Sequence, residues 1–194
     1  ELTPFEGFVS FKVEGTDHVR DARLLLDTFV ARSDAVRALE LLEDVRDHGW
    51  HVVLIAPEDR TPGWAFSGGL DATYGHPEIV VFGLELSVMH VMINNIGAKV
   101  KCGTSLTDLA RSSEVLDAYV CTFRSVHTNW YRPFLGYAHW FHRSDSFQCL
   151  QCVWPDRRRL FPWDAGFDPT CLPLQPLLHE PKRERARTGL WLET

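Results

Sequence analysis

The chain has 194 residues, 45% hydrophobic and 12% aromatic, with a formal net charge of −6. That is enough apolar material for one sizeable core, and the acidic balance excludes a general phosphate-backbone binder, which needs a basic surface. No apolar run approaches the roughly 20 residues of a membrane helix, no signal-peptide pattern is visible, and the five cysteines do not read as a disulfide framework, so a cytoplasmic protein without a membrane partner is expected.

Phe5 to Val13 places Phe and Val largely on alternating positions, as a short strand does. Asp17 to Val30 is richer in helix formers. Ser33 can cap a helix running to about Asp47, with Val36, Leu39, Leu42 and Val45 at helical spacing, and His48-Gly49 ends it. Trp50 to Ala56 reads as a buried strand, Pro57 to Pro62 as a turn, and Gly63 to Leu70 as a second strand ending in Gly68-Gly69.

Pro77 to Gly83 is a third apolar run. Glu85 to Ile96 carries Leu86, Met89, His90 and Ile93 at helical spacing before Gly97. Lys101 to Ser113 is polar and reads as a loop. Val115 to Val126 reads as a strand, Phe134 to Arg143 as a helix and Phe147 to Trp154 as a strand. Thr170 to Leu178 holds Pro173 and Pro176 and reads as an extended or irregular stretch and not a helix. The expected class is α+β, a single domain with a central, largely antiparallel sheet packed by helices. Residues 1–46 form an N-terminal extension on or beside the core, residues 47–178 the core, and residues 179–194 a weakly structured tail.

Several strings carry a resemblance. They are His48-Gly-Trp-His-Val-Val-Leu54, Pro62-Gly-Trp-Ala-Phe-Ser-Gly-Gly-Leu70, Gly75-His-Pro-Glu-Ile79, Val153-Trp-Pro-Asp156 and Phe161-Pro-Trp-Asp164. In order and spacing they resemble the bacterial domain-of-unknown-function family 4262, over about Asp47 to Leu178. Members usually read Phe-Ala-Tyr-Thr-Val-Gly-Leu where this chain has Trp64 to Leu70. The phenol is therefore missing at Phe66, while a hydroxyl is kept at Ser67. The resemblance implies a fold neighbourhood and carries no reaction.

The first candidate site joins Ser67, Gly68, Gly69, Asp71, His76 and Glu78. Glycines let a backbone approach a ligand, His76 can move a proton near neutral pH, and Glu78 can orient it. A tight turn capped by His76 is the structural alternative. A Ser–His–acid nucleophile is the third reading, and it lacks the Gly-x-Ser-x-Gly elbow. Trp64 and Phe66 would line the pocket, with Trp154, Asp156 and Trp163 as a further wall. A loop stapled onto the core, with Asp156 as a clamp on turn amides, is the preferred structural alternative.

His139 and His142, at i and i+3 on one helix, could meet one metal ion, or stand as one half-buried and one solvated imidazole. Cys149 and Cys152 have redox spacing, but within a strand they point to opposite faces. Neither Gly-x-Gly-x-x-Gly nor a Walker loop is present.

These features lead to a small-molecule-binding protein or acid/base enzyme of an accessory pathway, with Ser67, His76, Glu78 and Asp156 as working residues. No metal is assigned and the cofactor is open, a flavin being a weaker reading. The alternative is a non-catalytic interaction module, of regulator or toxin-neutralising type, whose acidic surface and aromatics would suit a basic protein. A homo-oligomer fits either reading.

Overall fold

The computed structural model describes residues 32–182. The strand expected at Phe5 to Val13, the helical stretch from Asp17 to Val30 and most of the expected tail lie outside the described residues. Helix α1 (Arg32–His48) leads through Gly49 into strand β1 (His51–Ile55), which turns into β2 (Trp64–Gly68). A short helix α2 (Leu70–Tyr74) precedes β3 (Glu78–Phe82), and α3 (Leu86–Lys101) follows. Then come the hairpin β4 (Arg111–Leu116) and β5 (Tyr119–Ser125), the short helices α4 (Tyr131–Phe134) and α5 (Gly136–His142), and β6 (Cys149–Val153).

The strands form one six-stranded sheet in the order β1-β2-β3-β6-β5-β4. Every pairing is antiparallel except β3 with β6. The fold is an α+β single domain with a mostly antiparallel sheet, as expected. All five residues of β3 are buried, which is why Glu-Ile-Val-Val-Phe reads as a nearly unbroken apolar run instead of an alternating one.

Side-chain alternation divides the core between two faces. On one, α3 lays Met89, Met92, Ile93 and Ile96 against Ala65, Ile79, Val81, Phe123 and Cys152. On the other, Leu41 and Leu42 of α1 and Tyr137, Ala138 and Phe141 of α5 cover Val53, Phe66, Val80, Phe82 and Cys149. Cys149 and Cys152 thus face opposite layers, as their spacing in a strand requires.

Several elements differ from the sequence reading, among them Pro169–Leu174, which forms a 3-10 helix, and β1, an edge strand in which only Val53 is buried. Helix α3 runs through Gly97 to Lys101, because that glycine lets the helix lie against the Trp50 indole. The run from Val115 to Val126 is a hairpin and not one strand. It turns at Asp117-Ala118, where Ala118 takes φ 64° without the glycine that usually marks such a turn. Gly68-Gly69 opens a helical turn, with Gly69 at φ 110°.

Candidate functional site

Glu78 opens β3 with its carboxylate fully buried. A carboxylate in that position is costly unless every lone pair finds a donor. Ser67 Oγ donates to Oε2 at 2.6 Å, and the amide of Gly69 donates to Oε1 at 2.8 Å. The amides of Leu70 and Asp71 add longer contacts of 3.3 and 3.4 Å. These amides belong to the start of α2, so Glu78 also supplies the cap that Gly69 lacks a side chain to give. Ser67 Oγ in turn accepts from the Ile79 amide at 2.8 Å.

The last partner comes from far along the chain. His142, at the end of α5, sets Nε2 2.8 Å from Glu78 Oε1. Its ring stacks on Phe147 at 4.6 Å, and Phe147 stacks on Tyr131 at 4.6 Å. Its other nitrogen, Nδ1, lies 4.0 Å from Asp71 Oδ2, whose side chain is 38% exposed. A chain of polar groups therefore runs from the half-exposed Asp71 through His142 and Glu78 to Ser67. Burial pushes the Tyr131 phenol above its ordinary range, against the opposing pull of the Cys149 backbone. Burial, with the Glu78 charge beside it, also pushes the Cys149 thiol up, so it stays protonated.

The expected residues divide between this cluster and the scaffold. Ser67, Gly69 and Glu78 meet in it. His76 is instead bound to the backbone on both sides of its ring: Nδ1 lies 2.8 Å from the Pro77 carbonyl, and Nε2 accepts from the Leu106 amide at 3.0 Å. Burial lowers its pKa against the opposing pull of the Pro77 carbonyl and the Glu78 charge. The imidazole that reaches Glu78 is His142.

Phe66 and Trp154 belong to opposite faces of the sheet and share no wall. The Trp154 indole donates to the Phe82 carbonyl at 2.8 Å, and the Trp64 indole to the Phe134 carbonyl at 2.9 Å. Gly68 packs against Leu41, and Trp163 stands 41% exposed on Phe161. Asp156 accepts from the amides of Arg158, Leu160 and Asp168 at 2.8, 2.9 and 3.0 Å, which is the turn-clamp arrangement. Desolvation acts to raise its pKa, but those amides and Arg158 outweigh it and hold the carboxyl below the usual range.

His139 turns away from His142, placing Nδ1 2.7 Å from Asp145 Oδ1. Among the described residues no group of three or more His, Cys, Asp or Glu side chains is arranged to hold a metal ion. No described helix is long and apolar enough to cross a membrane.

The profile of a family described as Domain of unknown function (DUF4262) matches residues 44–168, more than half of the chain. The chain belongs to this family. The DUF4262 match begins in the last turn of α1 and takes in Ser67, Asp71, Glu78, His142 and Asp156, so both the buried carboxylate site and the Asp156 clamp lie inside it. No curated protein and no solved structure matches the chain at a significant level.

Proposed function

We propose that this DUF4262 protein binds a small, hydrogen-bonding molecule and handles a proton through the Glu78–His142 pair. The carrying observation is the 2.8 Å contact between His142 Nε2 and a fully buried carboxylate, with the other ring nitrogen turned toward half-exposed Asp71. Imidazole is the side chain suited to exchange protons near neutral pH, and a neighbouring carboxylate orients it. Ser67 positions Glu78, and Asp71 would meet the ligand. The proton role assigned to His76 from the sequence passes to His142, because His76 has both nitrogens bound to backbone. Asp156 serves the loop it clamps.

The test is a thermal-shift screen of small carboxylic acids, amines and phosphates on wild-type protein and His142→Gln. Gln keeps a donor for Glu78 but cannot titrate. Compounds that raise the wild-type melting temperature and leave His142→Gln unmoved support the reading. Equal responses in both proteins contradict it.

A second reading has its own observation. β1 is an edge strand with Leu54 41% exposed, beside a groove of about 230 Å3 lined by Arg37, Glu40, His51, Val53 and Tyr137. Among the described residues no strand pairs with the outer side of β1, and such an edge beside a groove of mixed lining suits a partner protein that adds a strand. Partner binding lost on Val53→Pro, with ligand responses intact, would favour this non-catalytic interaction role.

A further inference from the structure

The groove beside β1 gathers chemical groups of its own. The chain reverses at Gly49, so α1 and β1 lie side by side, and strand alternation turns His51, Val53 and Ile55 toward α1. From α1, Arg37, Glu40, Leu41 and Asp44 stand at i, i+3, i+4 and i+7, on one helix face. Leu41 and Val53 are buried in the floor, with the Tyr137 ring of α5 beside them. The space measures about 230 Å3. At about 30 Å3 for each water, that is room for roughly eight of them, or for one small organic molecule.

The two ends of the groove differ. At the end nearest Gly49, His51 Nδ1 lies 2.6 Å from Asp44 Oδ2, and the His51 side chain stays 18% exposed. The carboxylate holds the ring proton on Nδ1, so Nε2, without a hydrogen-bond partner among the described residues, is left as an acceptor. Arg37 stands two turns before Asp44, about 10 Å away along the helix axis. Arg37 and Glu40 are exposed, and neither makes a hydrogen bond or an ion pair with a described residue. At i and i+3 their Cβ atoms are about 5–6 Å apart. A cation and an anion therefore flank an apolar floor at close spacing. A simple anion placed there would meet Glu40, and a simple cation would meet Arg37. A zwitterion matches both.

We propose that this groove binds a free amino acid with an apolar side chain. The Arg37 guanidinium would hold the carboxylate and Glu40 the ammonium. The side chain would lie over Leu41 and Val53 beside Tyr137, reaching toward His51. The site needs neither the Glu78–His142 pair nor a strand added to β1.

The test is an NMR titration of isotope-labelled wild-type protein with L-phenylalanine at constant ionic strength, following the Arg37 Nε–H and the His51 ring signals. Hydrocinnamate, which lacks the ammonium, and phenethylamine, which lacks the carboxylate, are titrated alongside. The expected result is a saturable shift of both groups with a dissociation constant of about a millimolar. Each singly charged analogue should bind at least about tenfold more weakly. Arg37→Gln, at an exposed position, should keep the fold and weaken binding at least about tenfold. No saturable shift, a shift that leaves Arg37 and His51 unmoved, or equal binding of either analogue overturns the proposal. So does unchanged binding to Arg37→Gln. His142→Gln should bind L-phenylalanine as wild type does, which separates this site from the Glu78–His142 reading. Binding lost in a folded His142→Gln would place the ligand at Glu78 and overturn the groove.

Discussion

His142 Nε2 completes the hydrogen-bond shell of Glu78 Oε1 at 2.8 Å, across a sequence separation of 64 residues. This contact ties the end of α5 to the first residue of β3, and Glu78 in turn fastens β2 and the start of α2. Removing the carboxylate leaves Ser67, three amides and an imidazole facing an apolar void. Glu78→Ala should therefore destabilise the protein by about 3–5 kcal/mol. His142→Gln, which leaves Glu78 its other donors, should cost about 1–2 kcal/mol. Urea unfolding of both variants checks the order, and a larger loss in His142→Gln would contradict it.

His76 gives a pH dependence of known sign. Its folded-state pKa lies below the ordinary value of 6.5, chiefly through burial. Below about pH 6.5 the unfolded chain takes up a proton that the folded chain resists, so stability falls as pH drops through this window. His179, also lowered, acts in the same direction. Asp156 and Asp168 have lowered pKa values too, but they act only near and below 3.8. Stability of His76→Gln should vary less between pH 7.5 and pH 5 than that of wild type, by urea unfolding at each pH. Parallel curves would show that His76 does not titrate in this window.

Asp156 holds a loop containing Arg157, Arg158 and Arg159 by three amide hydrogen bonds. Asp156→Ala should release it, and trypsin should cut after these arginines faster than in wild type while the sheet survives. Unchanged cleavage would mean that the remaining contacts, such as that between Arg158 and the Gly166 carbonyl, suffice.

Gly97 faces Trp50 so closely that an added Cβ would lie 2.4 Å from the indole. Gly97→Ala should cost about 1–3 kcal/mol through overpacking, despite the better helix propensity of alanine. A stabilised variant would contradict the tight approach of α3 to Trp50.

The same glycine marks a limit of sequence reading. Gly97 in a helical pattern signals a stop, and only the Trp50 indole, 47 positions earlier, explains why the helix continues. The apolar runs that became β1, β2 and β3 were legible because Gly and Pro bound them, and that of β6 because Pro155 ends it, but β1, read as buried, is an edge strand in which only Val53 is buried. The β4–β5 turn at Asp117-Ala118 was not, because no glycine supplies its positive φ. At the site, Ser67 and Glu78 were legible as neighbours of a glycine pair. His76 drew attention because it stands two residues from Glu78, yet β3 begins only at Glu78 and leaves His76 to the backbone. His142 was visible only as half of an i, i+3 histidine pair. Its approach to Glu78 depends on how α5 packs across the sheet, and no local pattern encodes that.

Native mass spectrometry of wild-type protein and His142→Gln, purified in parallel, tests the Glu78–His142 reading most directly. The expected result is a reproducible non-covalent mass increment on the wild-type chain that is missing from a folded His142→Gln. A bare chain mass in wild type, or an increment kept unchanged in His142→Gln, would contradict a ligand site built on this pair.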